Sequence, residues 1–485
     1  MERKALLIMP QPGDASQPRR APSQEQISER VATGVLDDVL STINRVGGCS
    51  EPLRLRGQLT AVDTSTGAAE PVWSTSGQPG QVLMVACGNR RASRCPACAD
   101  TYRGDTFHLI RSGLIGGDKG VPEQVRSHPR VFATLTAPSF GPVHRGPDAS
   151  GQAVVCHPRR SSVACYRRHA AGDPLIGQPL DADSYDYDGH VLWNNHAGDL
   201  WSRFTVYLRR HLADAAGVGR TEFNDTVRVS YAKVAEFQTR GLVHFHAVVR
   251  LDTKRSDGVV EPPPEWATVE LLTGAIRSAA AAVVVPADTD TGSRFLAWGE
   301  QVDVHSITSG TFTSGGVDEE AVAAYIAKYA TKSTTEDGTL DRRVFAGAPL
   351  DHLGLTDHQR RLIHACWRLS EVPGLEERKL DRWAHTLGFR GHFSTKSRRY
   401  STTLGELRQV RRDFRAGQAR TSGHDELLGT LPDADDTTLI VGSFSFAGQG
   451  YAHPVDRWLA ESHHRSRVLS RRVGREELAD LEEVA

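Results

Sequence analysis

Two strand-like runs, Val227 to Gln238 and Leu242 to Leu251, are separated only by Thr239-Arg240-Gly241. So short a connection permits little except an antiparallel hairpin, and a three-residue loop wants a left-handed residue, which Gly241 supplies. Closing the loop pairs Gln238 with Leu242 and sets Glu236 opposite His244. Side chains alternate along a strand, so His244 and His246 share one face while Val243, Phe245 and Ala247 take the other. Two imidazoles and a carboxylate then converge on one point, a donor set suited to a divalent metal. Gln238 shares that face, as an outer partner of the site or as a solvated turn residue.

A second pattern lies downstream. Asp318-Glu319-Glu320 opens a helix running to Lys332, with acids at the positive end of its dipole. Tyr325, Lys328, Tyr329 and Lys332 follow at i, i+3, i+4 and i+7 on one face, while Ala323, Ile326 and Ala330 occupy another. A neighbouring ammonium favours phenolate, and phenolate attacks phosphorus well once a metal neutralises the phosphate.

Seven cysteines in a chain of this length do not suggest a disulfide scaffold. Cys87, Cys95 and Cys98 cluster, and with Cys49 they form a four-thiolate set suited to structural zinc. Redox use is the weaker reading, since no thioredoxin-like βαβ pattern surrounds them. Cys156, His157, Cys165 and His169 form a possible second cluster, and Cys366 reads as core.

The 485 residues correspond to about three domains of ordinary size. Residues 1–46 read as a disordered lead and a helix, 47–125 as the Cys-rich zinc region, and 126–345 as the domain holding the hairpin and the tyrosine helix. That domain carries a Gly/Pro/Arg/Asp-rich insertion at 140–190. Residues 346–420 read as helical and basic, and 421–485 as a weakly patterned tail. With 58 Lys+Arg against 59 Asp+Glu the net charge is -1, which excludes a globally basic nucleic-acid coat but not local patches. Residues 381–420 are such a patch, with ten Lys/Arg against three Asp/Glu. Arg390, Lys396, Arg398 and Arg399 there, interleaved with Phe389, Phe393 and Tyr400, suit phosphate contact and base stacking. The longest apolar run, Ala279 to Val285, is too short for a membrane span. Ala5 to Met9 is too short for a signal peptide, so a cytoplasmic location without membrane partners is expected. No phosphate loop of the Gly-x-x-x-x-Gly-Lys-Ser/Thr type occurs, so no ATP-driven motor is encoded.

The strand Phe132-Ala133-Thr134-Leu135-Thr136, then His244-Phe245-His246, then Tyr325-x-x-Lys328-Tyr329 resembles the ordered three-motif signature of HUH endonucleases. The chain is similar in particular to the RepSA-like rolling-circle initiators of actinobacterial plasmids and integrative elements. Cys87 to Arg91, Cys95 to Cys98 and Gly391 to Ser401 carry that resemblance, which spans residues 45–415. Relaxases usually place the tyrosine before the histidine motif, the reverse of the order here. The resemblance implies an α/β (α+β) fold, with a central antiparallel sheet, flanking helices and the tyrosine helix beside a Mg or Mn site on the sheet. It implies nicking of plasmid origin DNA, single-stranded at the nick site, through a 5′-phosphotyrosine link. The 3′-OH primes synthesis, the strand is later rejoined, and a host helicase and replication machinery are borrowed. Tyr329 would be the first nucleophile, with Tyr325 its partner and Lys328 between them. Family members often carry a further Cys pair after Cys165, whereas Asp181-Ala182-Asp183-Ser184 holds none. An HUH transposase or relaxase with the same chemistry, and a zinc-containing DNA-binding regulator without catalysis, remain the alternatives.

Overall fold

A computed structural model describes residues 21–117, 120–148, 150–158, 163–255, 260–289, 292–308, 317–331, 340, 343–422 and 438–484. Side chains at 288–289, 308, 317–318, 320, 328–331, 415–422 and 474–484 lie outside the described residues. The chain divides into two compact units, residues 1–102 with 410–485, and residues 103–409.

In the first unit the strand Leu53–Asp63 pairs antiparallel with Thr438–Gln449 on one side. Its other side pairs with Ala69–Ser74 and Leu83–Val85. The tail, weakly patterned in sequence, thus supplies a full strand and the helix Pro454–Val484. Its pairing partner lies far away in sequence, so no local signal marks it. The single helix expected before Gly47 is two, Gln24–Ala32 and Leu36–Arg45. They are split at Gly34, whose φ of 69° no helix tolerates.

The second unit is built on a six-stranded, largely antiparallel sheet. Its strands are β1 (Arg130–Leu135), β2 (Val227–Phe237), β3 (Val243–Thr253), β4 (Val302–Thr308), β5 (Val317–Asp318) and β6 (Ser394–Lys396), in the order β5-β4-β1-β3-β2-β6. Only the edge pair β4–β5 is parallel. The β2–β3 register is the one the short loop dictates: Glu236 faces His244, Gln238 N–H donates to Leu242 O at 2.7 Å, and Gly241 has φ 86°. β6 comes from the basic segment, which sequence patterning had separated from this domain. An edge strand of three residues carries no periodicity long enough to read.

Three helices complete the core, α1 (Tyr187–Ala216), α2 (Val269–Ala282) and α4 (Asp357–Leu369), while α3 (Glu319–Thr331) follows β5. The apolar stripe of α1, including Leu200, Trp201, Phe204 and Leu208, is buried with Val243, Phe245 and Ala247 of β3. Trp201 and Phe245 meet edge to face at 5.8 Å. One face of the sheet is therefore sealed by α1, and the face bearing His244 and His246 is left for other chemistry. The helix expected over Val269 to Val285 stops at Ala282. Beyond it Val284–Thr289 pairs with Gly292–Ala297, because Pro286 cannot continue a helix but fits the edge of a two-stranded ribbon. Cys366 is fully buried among apolar neighbours, as its sequence context suggested.

Candidate metal centre and tyrosine helix

The face of β1, β2 and β3 that bears the histidines is polar at both ends and apolar between, with Phe132, Ala232, Val234 and Val248. At one end Glu236, His244 and His246 converge. One carboxylate oxygen of Glu236 lies 3.0 Å from Nε2 of His244 and 3.1 Å from Nε2 of His246. Ligands at about 2.1 Å in adjacent octahedral positions stand about 3.0 Å apart, so the donor spacing fits a six-coordinate hard cation. Glu236 and His246 are buried and His244 is partly open, which leaves one side of the site accessible. Burial holds the His246 pKa below its usual value, favouring the neutral imidazole that a metal requires.

The ring of His246 is fixed from behind. Its Nδ1 lies 3.0 Å from Thr134 Oγ1 on β1, whose register places Thr134 directly opposite His246. An Nδ1–H donated to that hydroxyl leaves Nε2 free to ligate. Phe132, two residues back on the same face, stacks on the His246 ring at 5.7 Å. Gln238 is a turn residue and not an outer partner: its Oε1 accepts from Arg240 Nε at 2.9 Å.

Helix α3 lies on this face. Tyr325 sits edge-on to His246 at 5.1 Å and to Phe132 at 5.6 Å, and its side chain is 38% exposed. A candidate nucleophile thus stands beside the metal ligands while remaining reachable. Lys328 and Tyr329 belong to the same helix, and their side chains lie outside the described residues. The helix is pinned at its start, where buried Glu319 pairs with buried Arg130 on β1 and, at 3.3 Å, with Arg126. Between Glu319 and Tyr325 a helix rises about 9 Å. Between Arg130 and Thr134 the strand advances about 13 Å. The ion pair at one end thereby determines where the phenol falls at the other.

The polar far end of the face is itself a closed network. Arg130 and Arg250 donate to the carbonyls of Leu114 and Gly113, the last turn of the helix Pro96–Ile115, where cations complement the dipole. Arg250 also pairs with Asp252 at 2.7 Å, and Asp252 meets His128 at 2.8 Å and Ser230 at 2.6 Å. Burial alone would raise the Asp252 pKa, but the partners His128, Arg250 and Ser230 hold it down to about 2.

The hairpin turn is held as firmly as its strands. Asn194 of α1 donates to Gly241 O and accepts from Val243 N, and His358 of α4 bonds Arg240 O at 2.9 Å. Neither residue was anticipated from sequence. The signal was present in Asn194-Asn195, a polar pair beside the apolar run Val191-Leu192-Trp193, and both are buried.

In the other unit the four thiols of Cys49, Cys87, Cys95 and Cys98 come together. Cys87 and Cys98 sulfurs are 3.6 Å apart, and those of Cys49 and Cys95 3.7 Å. Tetrahedral zinc with bonds of about 2.3 Å requires sulfurs about 3.8 Å apart, so the cluster fits a metal such as zinc. The amides of Cys87 and Asn89 point at sulfurs, at 3.3 and 3.5 Å, as donors to thiolates do. The second Cys/His group also assembles, with one change: His144 joins Cys156, Cys165 and His169 in place of His157. His157 Nδ1 also lies 3.2 Å from Cys156 Sγ, where the ribbon register is irregular, but it is His144 that completes the set of four donors within 4.8 Å of one another.

The basic segment departs from expectation. Tyr400 and Phe389 are buried and cannot stack on bases; Tyr400 instead donates to Ile110 O, with Arg250 over its ring. Phe393 packs on Phe389 and Phe237. Lys396 is half-buried and donates to Ser401 O at 2.9 Å, while Arg390, Arg398 and Arg399 are exposed.

Residues 35–465 match the family model described as RepSA, replication initiator protein, pSAM2. A replication initiator protein of Streptomyces ambofaciens is 50% identical over 444 residues, covering 90% of this chain and 92% of that protein. No solved structure matches.

Proposed function

The chain belongs to the RepSA family of replication initiator proteins, and from that premise we propose that it begins rolling-circle replication by an HUH-type nick at its origin. Membership supports plasmid replication initiation and binding of origin DNA. The single observation that carries the chemistry is the placing of Tyr325, on its helix, beside His246 and thus beside the Glu236–His244–His246 donor set. Glu236, His244 and His246 would hold a divalent ion such as Mg or Mn, which would supply Lewis-acid neutralisation of a scissile phosphate.

The remaining chemistry falls to the chain's own side chains. A phenolate oxygen bonds to phosphorus, the P–O3′ bond breaks, and the departing oxygen takes a proton to become the 3′-OH primer. The phenol's own proton is lost to solvent, and the ammonium of Lys328, between the tyrosines in sequence, stabilises phenolate and leaving oxygen. The number of phosphodiester bonds is conserved, because a 5′-phosphotyrosine replaces the broken link. The i,i+4 spacing puts Tyr329 on the Tyr325 face of the helix. Tyr329 makes the first attack. Tyr325 makes the second, on the regenerated nick site while the first linkage still exists, and the 3′-OH so released attacks the Tyr329 phosphotyrosine, rejoining the strand and freeing the Tyr329 phenol. Strand passage and synthesis are left to a host helicase and replication machinery in the cytoplasm. Among the described residues no helix is long and apolar enough to cross a membrane. Exposed Arg390, Arg398 and Arg399 contact phosphates, with Lys396 shaping their loop.

The test is a nicking assay on supercoiled plasmid carrying the cognate origin. Mg- or Mn-dependent conversion to open circles, with protein covalently retained on the 5′ end, is the expected result. Origin binding with no nicking under either metal would leave a regulator in place of a nuclease.

A further inference from the structure

Residues 141–184, between β1 and α1, contribute nothing to the hydrophobic core among the described residues. Among the described residues their regular structure is a ribbon of Val155–His157 against Cys165–Arg168. Strands of three and four residues do not hold themselves together. Yet the segment closes around four soft donors. Cys156 is fully buried, His169 and Cys165 nearly so, and His144 is half-buried.

We propose that His144, Cys156, Cys165 and His169 bind a structural zinc ion that braces the turn of the metal-binding hairpin. Their donor atoms all lie within 4.8 Å of one another. His144 Nδ1 is 3.2 Å from His169 Nε2 and 3.7 Å from Cys156 Sγ, and Cys165 Sγ is 3.6 Å from His169 Nε2. A tetrahedral Cys₂His₂ zinc, with bonds of about 2.0 Å to nitrogen and 2.3 Å to sulfur, requires edges of about 3.3 Å between nitrogens, about 3.5 Å from nitrogen to sulfur and about 3.8 Å between sulfurs. The surrounding partners are those of a ligand set. Asp173 Oδ2 lies 2.7 Å from His169 Nδ1, which fixes the proton there and presents Nε2 inward. The Arg145 amide donates to Cys156 Sγ at 3.3 Å, as to a thiolate. A merely hydrogen-bonded Cys/His cluster would not need a carboxylate to set the outer nitrogen of one ring.

The path from this site to the hairpin is short. His144 N–H donates to Gln178 O, and Gly177 N–H donates to His144 O, both at 2.8 Å. Gly177, at φ 84°, lies so close to the turn that an added Cβ would stand 2.7 Å from the Thr239 carbonyl carbon. A ligand's own backbone is thus tied to the residues that press on Thr239-Arg240, five residues or fewer from Glu236 and His244. The effect on nicking rests on the function proposed above, whereas the zinc itself does not.

The experiment separates the two. His244→Ala/His246→Ala protein, which cannot load zinc at the hairpin, is analysed for zinc after gel filtration and by zinc-edge X-ray absorption. Two zinc ions per chain, averaging three sulfurs and one nitrogen each, are expected. Adding Cys156→Ser and Cys165→Ser should leave one ion with four sulfurs, and speed exchange of the Gly241 amide at least tenfold. One zinc bound by four sulfurs in the parent, where no cysteine has been altered, would overturn the site. One zinc with two sulfurs and two nitrogens would retain it and remove the Cys49 cluster instead. Loss of zinc with unchanged Gly241 exchange would overturn the bracing role. Nicking by wild-type protein plays no part in these readouts, so failure of the nuclease reading shows separately.

Discussion

Thr134 Oγ1 stands 3.0 Å from Nδ1 of His246 across the β1–β3 register. The hydroxyl lies on the side of the imidazole away from Glu236, so it selects the tautomer that ligates. Replacing Thr134 with Val keeps the shape and removes the acceptor. Outer partners of this kind are worth about 10- to 100-fold in metal affinity. Thr134→Val should therefore raise the Mn concentration for half-maximal nicking by about that factor, with folding unchanged by circular dichroism. An unshifted Mn titration would show that the hydroxyl does not set the ring.

His246→Ala and Glu236→Gln should each abolish metal-dependent nicking while origin-duplex binding persists. Both imidazoles meet at one oxygen of Glu236, so losing His246 or the Glu236 carboxylate leaves two donors, too few to retain a hard cation. Undiminished nicking in either variant would remove this site from the mechanism.

For the tyrosines, Tyr329→Phe should lose most covalent adduct on a single-stranded origin oligonucleotide. Tyr325→Phe should nick but fail in strand transfer, and the double variant should form no adduct. Peptide mapping of the adduct by mass spectrometry reads this directly. A linkage at any other tyrosine refutes the assignment, and equal yields in the two single variants would reverse the ranking of Tyr329.

Cys95→Ser should release the zinc of the Cys49 cluster and destabilise the unit around it. Structural zinc contributes to folding outright, and Cys95 is buried with Val46, Cys49 and Cys98. Retention of zinc at wild-type stoichiometry in folded Cys95→Ser protein would exclude a four-thiolate site.

Lys233 gives a pH dependence. It is buried on the α1 side of β2, with Nζ 3.8 Å from the Phe245 ring centroid, and burial lowers its pKa from 10.5 to about 7. As pH falls from 10.5 toward 7 the unfolded chain takes up a proton that the folded chain does not. Stability therefore drops through that window and levels off below it. The full penalty is on the order of a few kcal/mol, partly offset by the ring. Lys233→Met should raise the unfolding midpoint in urea, more at pH 6 than at pH 9.5. An equal gain at both values would mean that Lys233 stays charged when folded.

Much of the candidate site was legible along the chain because its parts obey local rules. A three-residue loop with a left-handed glycine determines the hairpin register, and the period of two determines that His244, His246 and Glu236 share a face. Helical spacing likewise predicted the tyrosine helix, and the cysteine pattern named the four thiols Cys49, Cys87, Cys95 and Cys98 that the structure brings together. Tertiary structure decided everything that depends on contacts distant in sequence. It brought His144 into the second Cys/His group, 3.2 Å from His169, through a loop pairing with Gln178 that no local spacing reveals. It buried Tyr400 and Phe389 under a network that no charge count reveals, and paired residues 438–449 with 53–63 across nearly the whole chain. The height of Tyr325 beside His246 follows from the pairing of Glu319 with Arg130. That pairing joins residues 189 positions apart, a separation over which sequence periodicity carries no information.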